Sequence, residues 1–261
     1  FGLFLPVIKF AQPSGSVGAD PVRISDYHGE FTVDRDGTLQ ATETVTAQFP
    51  YGRHGIFRYW DITDPGNSGV RFFPENISIQ MDGRDVPFEL SWEQDRRFRV
   101  AKIGDPDAFV PQGEHVYVLR YSVDGTLAKG NSPARRGDTS SWGSDEAARF
   151  IWRVVADGWQ MTIDRSTSVV HLPEEPTSFT CSTNGDIACQ VEETSPTTRT
   201  VTTGSLPPMT GVAVRADLPF PAPSRSTLPW PVLLDPVFGR SLIGLILVCI
   251  VSVLTCLGGL W

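Results

Sequence analysis

The sequence predicts an all-β protein: an antiparallel β-sandwich ectodomain followed by a single transmembrane α-helix. Three observations predict it. Short runs of alternating apolar and polar residues are punctuated by Asp36-Gly37, Asp82-Gly83, Asp124-Gly125, Asp157-Gly158 and Asn184-Gly185. The chain holds 24 Gly and 21 Pro in 261 residues, and no stretch before residue 237 sustains a 3.6-residue apolar period. From Ser241 to Trp261 no residue is charged.

Thirty acidic residues against 22 basic ones leave a net charge of −8. That balance excludes a general nucleic-acid binder and electrostatic docking on anionic lipid.

Taken in order, the chain begins at Phe1 rather than Met, as a processed or partial chain does. Residues 1–8 (FGLFLPVI) are apolar, and Val17-Gly18-Ala19 puts small residues before Asp20. This is the pattern of a signal-peptide remnant over 1–19, with an uncleaved N-terminal anchor as the alternative because of Lys9 and the Gln12–Ser16 spacer. Both versions place residues 20–236 on the extracytoplasmic side of a cell membrane, with a β-domain over 20–218.

Within that domain the strands read as Glu30–Val33, Leu39–Phe49, Phe98–Lys102, His115–Val123, Phe150–Val155, Ser168–Leu172, Thr198–Thr202 and Gly211–Leu218. A hairpin is expected where Ile77, Ile79 and Met81 meet Val86, Phe88 and Leu90 across Asp82-Gly83. The pattern leaves one sandwich or two open. Residues 126–141 are polar and Gly/Ser-rich, an exposed loop that contains Arg136-Gly137-Asp138.

Cys181 and Cys189 flank Asn184-Gly185-Asp186. A three-residue hairpin loop there sets Thr183 opposite Ile187 and Cys181 opposite Cys189, within reach of a disulfide. Two free thiols are the alternative. Residues 219–236 carry Pro219, Pro221, Pro223, Pro229, Pro231 and Pro236 and read as a semi-rigid stalk. A transmembrane helix is expected over 237–261, since a helix of about 20 apolar residues spans about 30 Å. Cys249, Ser252, Cys256 and Gly259 share one stripe of it, an expected interface with another membrane protein's helix alongside the lipid bilayer.

The most informative strand is Leu39–Phe49. Leu39, Ala41, Glu43, Val45, Ala47 and Phe49 fall on one face by strict alternation, so a carboxylate lies mid-stripe. A buried carboxylate demands a partner. Arg58 and His54, which follow after the turn, are the candidates. In one reading Glu43 and Arg58 form a structural ion pair; in the other Glu43 and His54 work as acid and base in a cleft. The ion pair is the simpler reading, because no nucleophile or metal set accompanies these residues.

Asp36-Gly37, Thr42-Glu43, Phe49 and His54-Gly55-Ile56-Phe57-Arg58 together resemble the start of the YciQ-like bacterial family of predicted membrane proteins. Lys102-Ile103-Gly104-Asp105, Tyr117 to Tyr121, Ile151-Trp152, Gly158-Trp159, Leu172-Pro173 and Met209-Thr210-Gly211-Val212 extend the resemblance over about 24–218. It implies a secretory signal, an extracytoplasmic domain and membrane helices, and no assigned reaction.

No Gly-x-Ser-x-Gly elbow, His-Glu-x-x-His, Walker loop or dinucleotide Gly pattern occurs. His28, His54, His115 and His171 are scattered without ligand spacing, so neither metal nor cofactor is expected. Trp60, Trp92, Trp142, Trp152 and Trp159 read as core or as a sugar- or peptide-binding surface. The expected function is a non-enzymatic binding or assembly subunit of a bacterial envelope complex, its ligand unspecified. The alternatives are an envelope-acting hydrolase near Glu43 and His54, or a sensor signalling through the stalk.

Overall fold

The computed structural model describes residues 20–64, 67–130, 147–227 and 242–258. In chain order its strands begin with β1 (Arg23–Val33), β2 (Leu39–Phe49), β3 (Ile56–Asp61), β4 (Thr63–Asp64), β5 (Asn67–Arg71) and β6 (Pro74–Met81). There follow β7 (Arg84–Asp85), β8 (Phe88–Glu93), β9 (Phe98–Ile103), β10 (Gly113–Val123), β11 (Leu127–Lys129) and β12 (Ala147–Val155). The last are β13 (Ser166–His171), β14 (Ser178–Thr183), β15 (Cys189–Ser195), β16 (Thr198–Thr203) and β17 (Val212–Pro221), before the helix α1 (Leu242–Gly258).

One layer is an eight-stranded sheet in the order β15-β16-β13-β1-β2-β10-β6-β7. A four-stranded sheet, β11-β12-β17-β14, and a three-stranded one, β3-β9-β8, cover its inner face. The Tyr27 hydroxyl of β1 donates to the Val154 carbonyl of β12 at 2.9 Å, and Arg58 of β3 reaches Glu43 of β2. Buried side chains from all three sheets form one cluster, so the fold is one sandwich.

The alternation read in Leu39–Phe49 is the burial pattern of β2: every second residue from Leu39 to Phe49 is buried, Glu43 included. β3 was hidden from pattern reading because its inward stripe is Ile56, Arg58 and Trp60, and a charged residue in mid-stripe masks the period. β1 is longer than its expected end, Glu30–Val33, because a register shift between Ile24 and Asp26 breaks its alternation. His54-Gly55 and Ile103-Gly104 cross in close contact. A Cβ on Gly55 would lie 1.8 Å from the Ile103 carbonyl oxygen, and one on Gly104 1.9 Å from that of His54. Two of the blocks that carried the family resemblance are thus the adjoining ends of β3 and β9.

Several expectations are corrected. The sandwich is not wholly antiparallel, since β1 and β13 pair in parallel from Tyr27↔Ser166 to Thr32↔His171. The hairpin at Asp82-Gly83 closes over Gln80↔Asp85 and Met81↔Arg84, with one further bond from the Val86 amide to the Ile79 carbonyl at 3.2 Å. Beyond Val86-Pro87 the chain changes layers, and Phe88–Glu93 pairs with β9 instead. Likewise β14 pairs with β17 and β15 with β16, so the segment around Asn184-Gly185 crosses between sheets rather than turning a hairpin. Interstrand hydrogen bonds are made by the backbone, so local alternation sets a strand's faces but not its neighbour.

The expected stalk begins later than Leu218. Pro219 and Pro221 end β17, where the ladder to β12 is already irregular and missing N–H donors are tolerated. Arg225 then docks back, its Nε donating to the Gly125 carbonyl at 2.7 Å and its guanidinium pairing with Asp64. Residues 1–19, 131–146, 228–241 and 259–261 lie outside the described residues, and with them the signal segment, Arg136-Gly137-Asp138, Trp142 and Gly259.

Of the transmembrane helix expected over 237–261, α1 shows a regular helix over Leu242–Gly258, and residues 237–241 and 259–261 lie outside the described residues. Among the described residues no helix is long and apolar enough to cross a membrane. Cys249 and Ser252 are exposed on α1, as are Ile246, Leu247, Ile250, Val251, Val253, Leu254 and Leu257. Cys256 is also a residue of α1.

The turn after β6 is tied to β10 by Asp82, which accepts from the Val116 amide at 2.9 Å and from His115 Nδ1 at 2.7 Å. Burial lowers the His115 pKa, but hydrogen bonding to Asp82 and to the Pro111 carbonyl outweighs it, and the net value lies above 6.5. A raised histidine pKa stabilises the fold fully below the unfolded value and loses that stabilisation as pH rises through the folded one. The urea midpoint of the native chain should therefore exceed that of His115→Gln by more at about pH 6 than at about pH 9. An equal gap at both pH values removes this role.

Candidate functional site

β2 and β10 lie side by side in the eight-stranded sheet, and β3 crosses above them. This brings three inward side chains together. Arg58 donates from Nε to Glu43 Oε2 at 2.9 Å and from Nη2 to Glu43 Oε1 at 2.6 Å, a bidentate pair. The Tyr121 hydroxyl of β10 donates to the same Oε1 at 2.6 Å. Glu43 is 0% exposed and Arg58 3%, so the pair has no solvent screening.

The remaining Arg58 nitrogen, Nη1, donates to the Tyr59 carbonyl. The guanidinium also packs over Trp60, 4.9 Å from the ring centroid, and near Trp159 at 5.9 Å. Burial pushes Arg58 toward losing its proton, but the Glu43 charge, the Tyr121 hydroxyl and the hydrogen bonding to Glu43 together outweigh this and hold its pKa above the usual guanidinium value. Burial and then the Glu43 charge raise the pKa of both Tyr27 and Tyr121, so both are neutral hydrogen-bond donors. A carboxylate with these three donated bonds is a structural anion.

His54 does not join it. Its Nδ1 donates to the Ala108 carbonyl at 2.9 Å, and its ring stacks on Phe109 at 4.4 Å, in the loop between β9 and β10. Glu43 and His54 share no hydrogen bond, so an acid–base pair is not assembled. Among the described residues no group of three His, Cys, Asp or Glu side chains could hold a metal ion.

Arg58 also forms part of the wall of a cavity of about 630 Å³. Tyr59, Trp60 and Asp61 of β3 continue that wall, Ile151, Trp152 and Arg153 of β12 face them, and Ala213, Arg215, Asp217, Thr180 and Ser182 form the floor. The wall charges are paired within the chain. Arg97 binds Asp61 at 2.8 Å, Arg153 binds Asp157 at 3.2 Å, and Arg149 binds Asp217 at 2.6 Å. Burial would raise Asp61, but hydrogen bonds from Arg97 and Thr63 hold it below the usual carboxylate range. Asp217 follows the same pattern, with burial opposed by Arg149 and Ser178.

Sequence reasoning missed this cavity. Its charges alternate along β12 and β17, which on sequence alone is the pattern of a solvated face. Of the tryptophans, Trp60 and Trp152 line the cavity, Trp159 is buried in the core, and Trp92 is exposed against Phe73 at 6.2 Å.

Cys181 and Cys189 form a disulfide with Cα atoms 6.2 Å apart. Cys181 lies in β14, at the edge of the four-stranded sheet, and Cys189 in β15, at the edge of the eight-stranded one. The bridge therefore ties the two layers together. Asn184 anchors the segment between them, accepting from the Gly211 amide at 2.6 Å and donating to the Met209 carbonyl at 3.0 Å.

The family model described as "Predicted membrane protein (DUF2207) N-terminal domain" matches residues 23–218. The chain belongs to this family. The DUF2207 match spans β1 to within β17, the whole of the structure just described except α1 and the segment leading to it. The uncharacterized protein YciQ of Escherichia coli (strain K12) is 26% identical over 172 residues, covering 62% of this chain and 24% of that protein. This chain thus spans about a quarter of that relative's length.

Solved structures superpose partially on the DUF2207 chain. An M1 zinc metallopeptidase from Deinococcus radiodurans covers 74% of this chain and 42% of its own, at 17% identity and a TM-score of 0.39. The yeast LTA4 hydrolase in complex with bestatin covers 78% and 31%, at 11% identity and a TM-score of 0.44.

Proposed function

We propose that this DUF2207 chain is a non-enzymatic binding or assembly domain, held at a bacterial membrane on its extracytoplasmic side. The single observation that carries the reading is the cavity of about 630 Å³, whose charged walls are already paired and whose apolar walls are open to an occupant. That volume is in the range of ligand sites, about 300–1,000 Å³. The disulfide favours an oxidising, extracytoplasmic compartment. The exposed aliphatic side chains of α1 favour contact with lipid or with another membrane protein's helix. An acid–base hydrolase at Glu43 and His54 has no support from the geometry, since Glu43 is spent on Arg58 and Tyr121.

The test is photo-crosslinking in native membranes. A p-benzoylphenylalanine introduced at Thr180, on the cavity floor, is expected to yield one discrete adduct on irradiation. The same probe at Glu192, on the exposed face of β15, is expected to yield none. Ala213→Trp, which fills the floor, should abolish the Thr180 adduct. Equal labelling from both positions, or none from Thr180, overturns the assignment of the cavity as the binding site.

A further inference from the structure

We infer that the cavity is a slot for an extended polypeptide strand, which enters edge-on between β3 and β12; the inference rests on the binding reading above. Consecutive residues line it on both sides, Arg58 through Asp61 and Ile151 through Arg153. Successive side chains of a strand point to opposite faces. A consecutive run can therefore line a cavity only where the cavity meets the strand's edge.

The hydrogen-bond phase shows which backbone groups that edge presents. β3 is the outermost strand of its sheet and pairs with β9 alone. The Ile62 amide donates to the Arg97 carbonyl at 3.0 Å, which makes every second residue before it, Trp60, Arg58 and Ile56, the ones bonded to β9. The main-chain groups of Tyr59 and Asp61 therefore turn to the free edge. The Tyr59 carbonyl is already taken by Arg58, which leaves the Tyr59 amide and both Asp61 groups.

β12 presents the opposite rail. β11 covers only Ala148 to Phe150, and the Gly130 amide donates to the Ala147 carbonyl at 2.7 Å. By the same alternation the main-chain groups of Ile151 and Arg153 point to that side, beyond the end of β11. The residue that would continue β11 opposite Ile151 is Thr126, but its amide donates to the Gly37 carbonyl at 2.9 Å instead. Among the described residues no backbone group pairs with Ile151 or Arg153 on this edge. Two unpaired strand edges thus open into one cavity, the arrangement by which a sheet accepts an added strand.

The charges state what the strand is. Asp61, Arg153, Asp217 and Arg58 each have an ion partner within the chain. A charged occupant would have to break one of these pairs. Phe72, Trp152, Ala156 and Val214 offer apolar surface to its side chains. The occupant is an uncharged, β-prone segment of a partner protein, held chiefly through its main chain.

The experiment is selection from a random octapeptide display library against the detergent-solubilised full chain. Enriched peptides should be poor in charge and should slow amide exchange at Tyr59, Asp61, Ile151 and Arg153. N-methylation of alternate peptide bonds, which removes donors and keeps side chains, should weaken binding at least tenfold in one of the two alternating sets. Failure to enrich any peptide overturns the slot, as does binding that neither N-methylated set weakens. Chitotetraose serves as the saccharide probe, and protection of the same four amides by it alone overturns the slot in favour of a glycan site. A Thr180 photo-adduct without an enriched peptide keeps the binding reading and removes only the strand; loss of both removes both.

Discussion

Arg58→Met is expected to lower the unfolding free energy by about 3–5 kcal/mol, the cost of leaving a buried charge without its partner. Glu43 is 0% exposed, and without Arg58 its carboxylate keeps the Tyr121 hydroxyl but loses its ion partner. A domain stable by about 5–15 kcal/mol loses a third or more of its margin in this way. Replacing both partners by apolar residues, Arg58→Met with Glu43→Leu, should restore most of the loss, since a buried pair contributes little relative to well-packed hydrocarbon. Urea unfolding followed by tryptophan fluorescence measures both. A loss below about 1 kcal/mol in Arg58→Met, or a double variant weaker than the single one, shows that the pair does not hold the layers together.

Removing the disulfide ranks next. Cys181→Ala with Cys189→Ala should cost about 2–3 kcal/mol, from the chain entropy restored to the unfolded state by opening a short loop. The effect is not only global, because the bridge joins the edge strands β14 and β15 of two different sheets. Amide exchange should accelerate first in those two strands, and the cavity floor at Thr180 and Ser182 should loosen with them. An unchanged urea midpoint together with unchanged exchange in β14 and β15 contradicts the stapling role.

Much of the candidate site was readable in the residues themselves. Strict alternation over Leu39–Phe49 buries Glu43 whatever the rest of the fold, and a buried carboxylate beside a nearby arginine points to Arg58. Tyr121 was not foreseen as the third member. It comes from a strand 78 residues away that happens to lie beside β2, and no local signal states that adjacency. His54 shows the converse. It is close to Arg58 in sequence, but the crossing at Gly55 and Gly104 turns its ring toward Ala108 and Phe109.

The disulfide makes the same distinction. The spacing of Cys181 and Cys189 identified the partners, yet the hairpin used to argue it does not form, because the two strands part into different layers.

The amino-acid order alone determined which side chains face inward on the main strands and that a charge lies buried among them. These follow from the two-residue period of a strand, a local property. The tertiary structure alone decided which strands became neighbours: the parallel β1–β13 pair, the crossing of β14 and β15, and the edges of β3 and β12 that no strand among the described residues fully covers. Backbone hydrogen bonds are alike at every residue, so pairing is selected by how whole layers pack over a shared core.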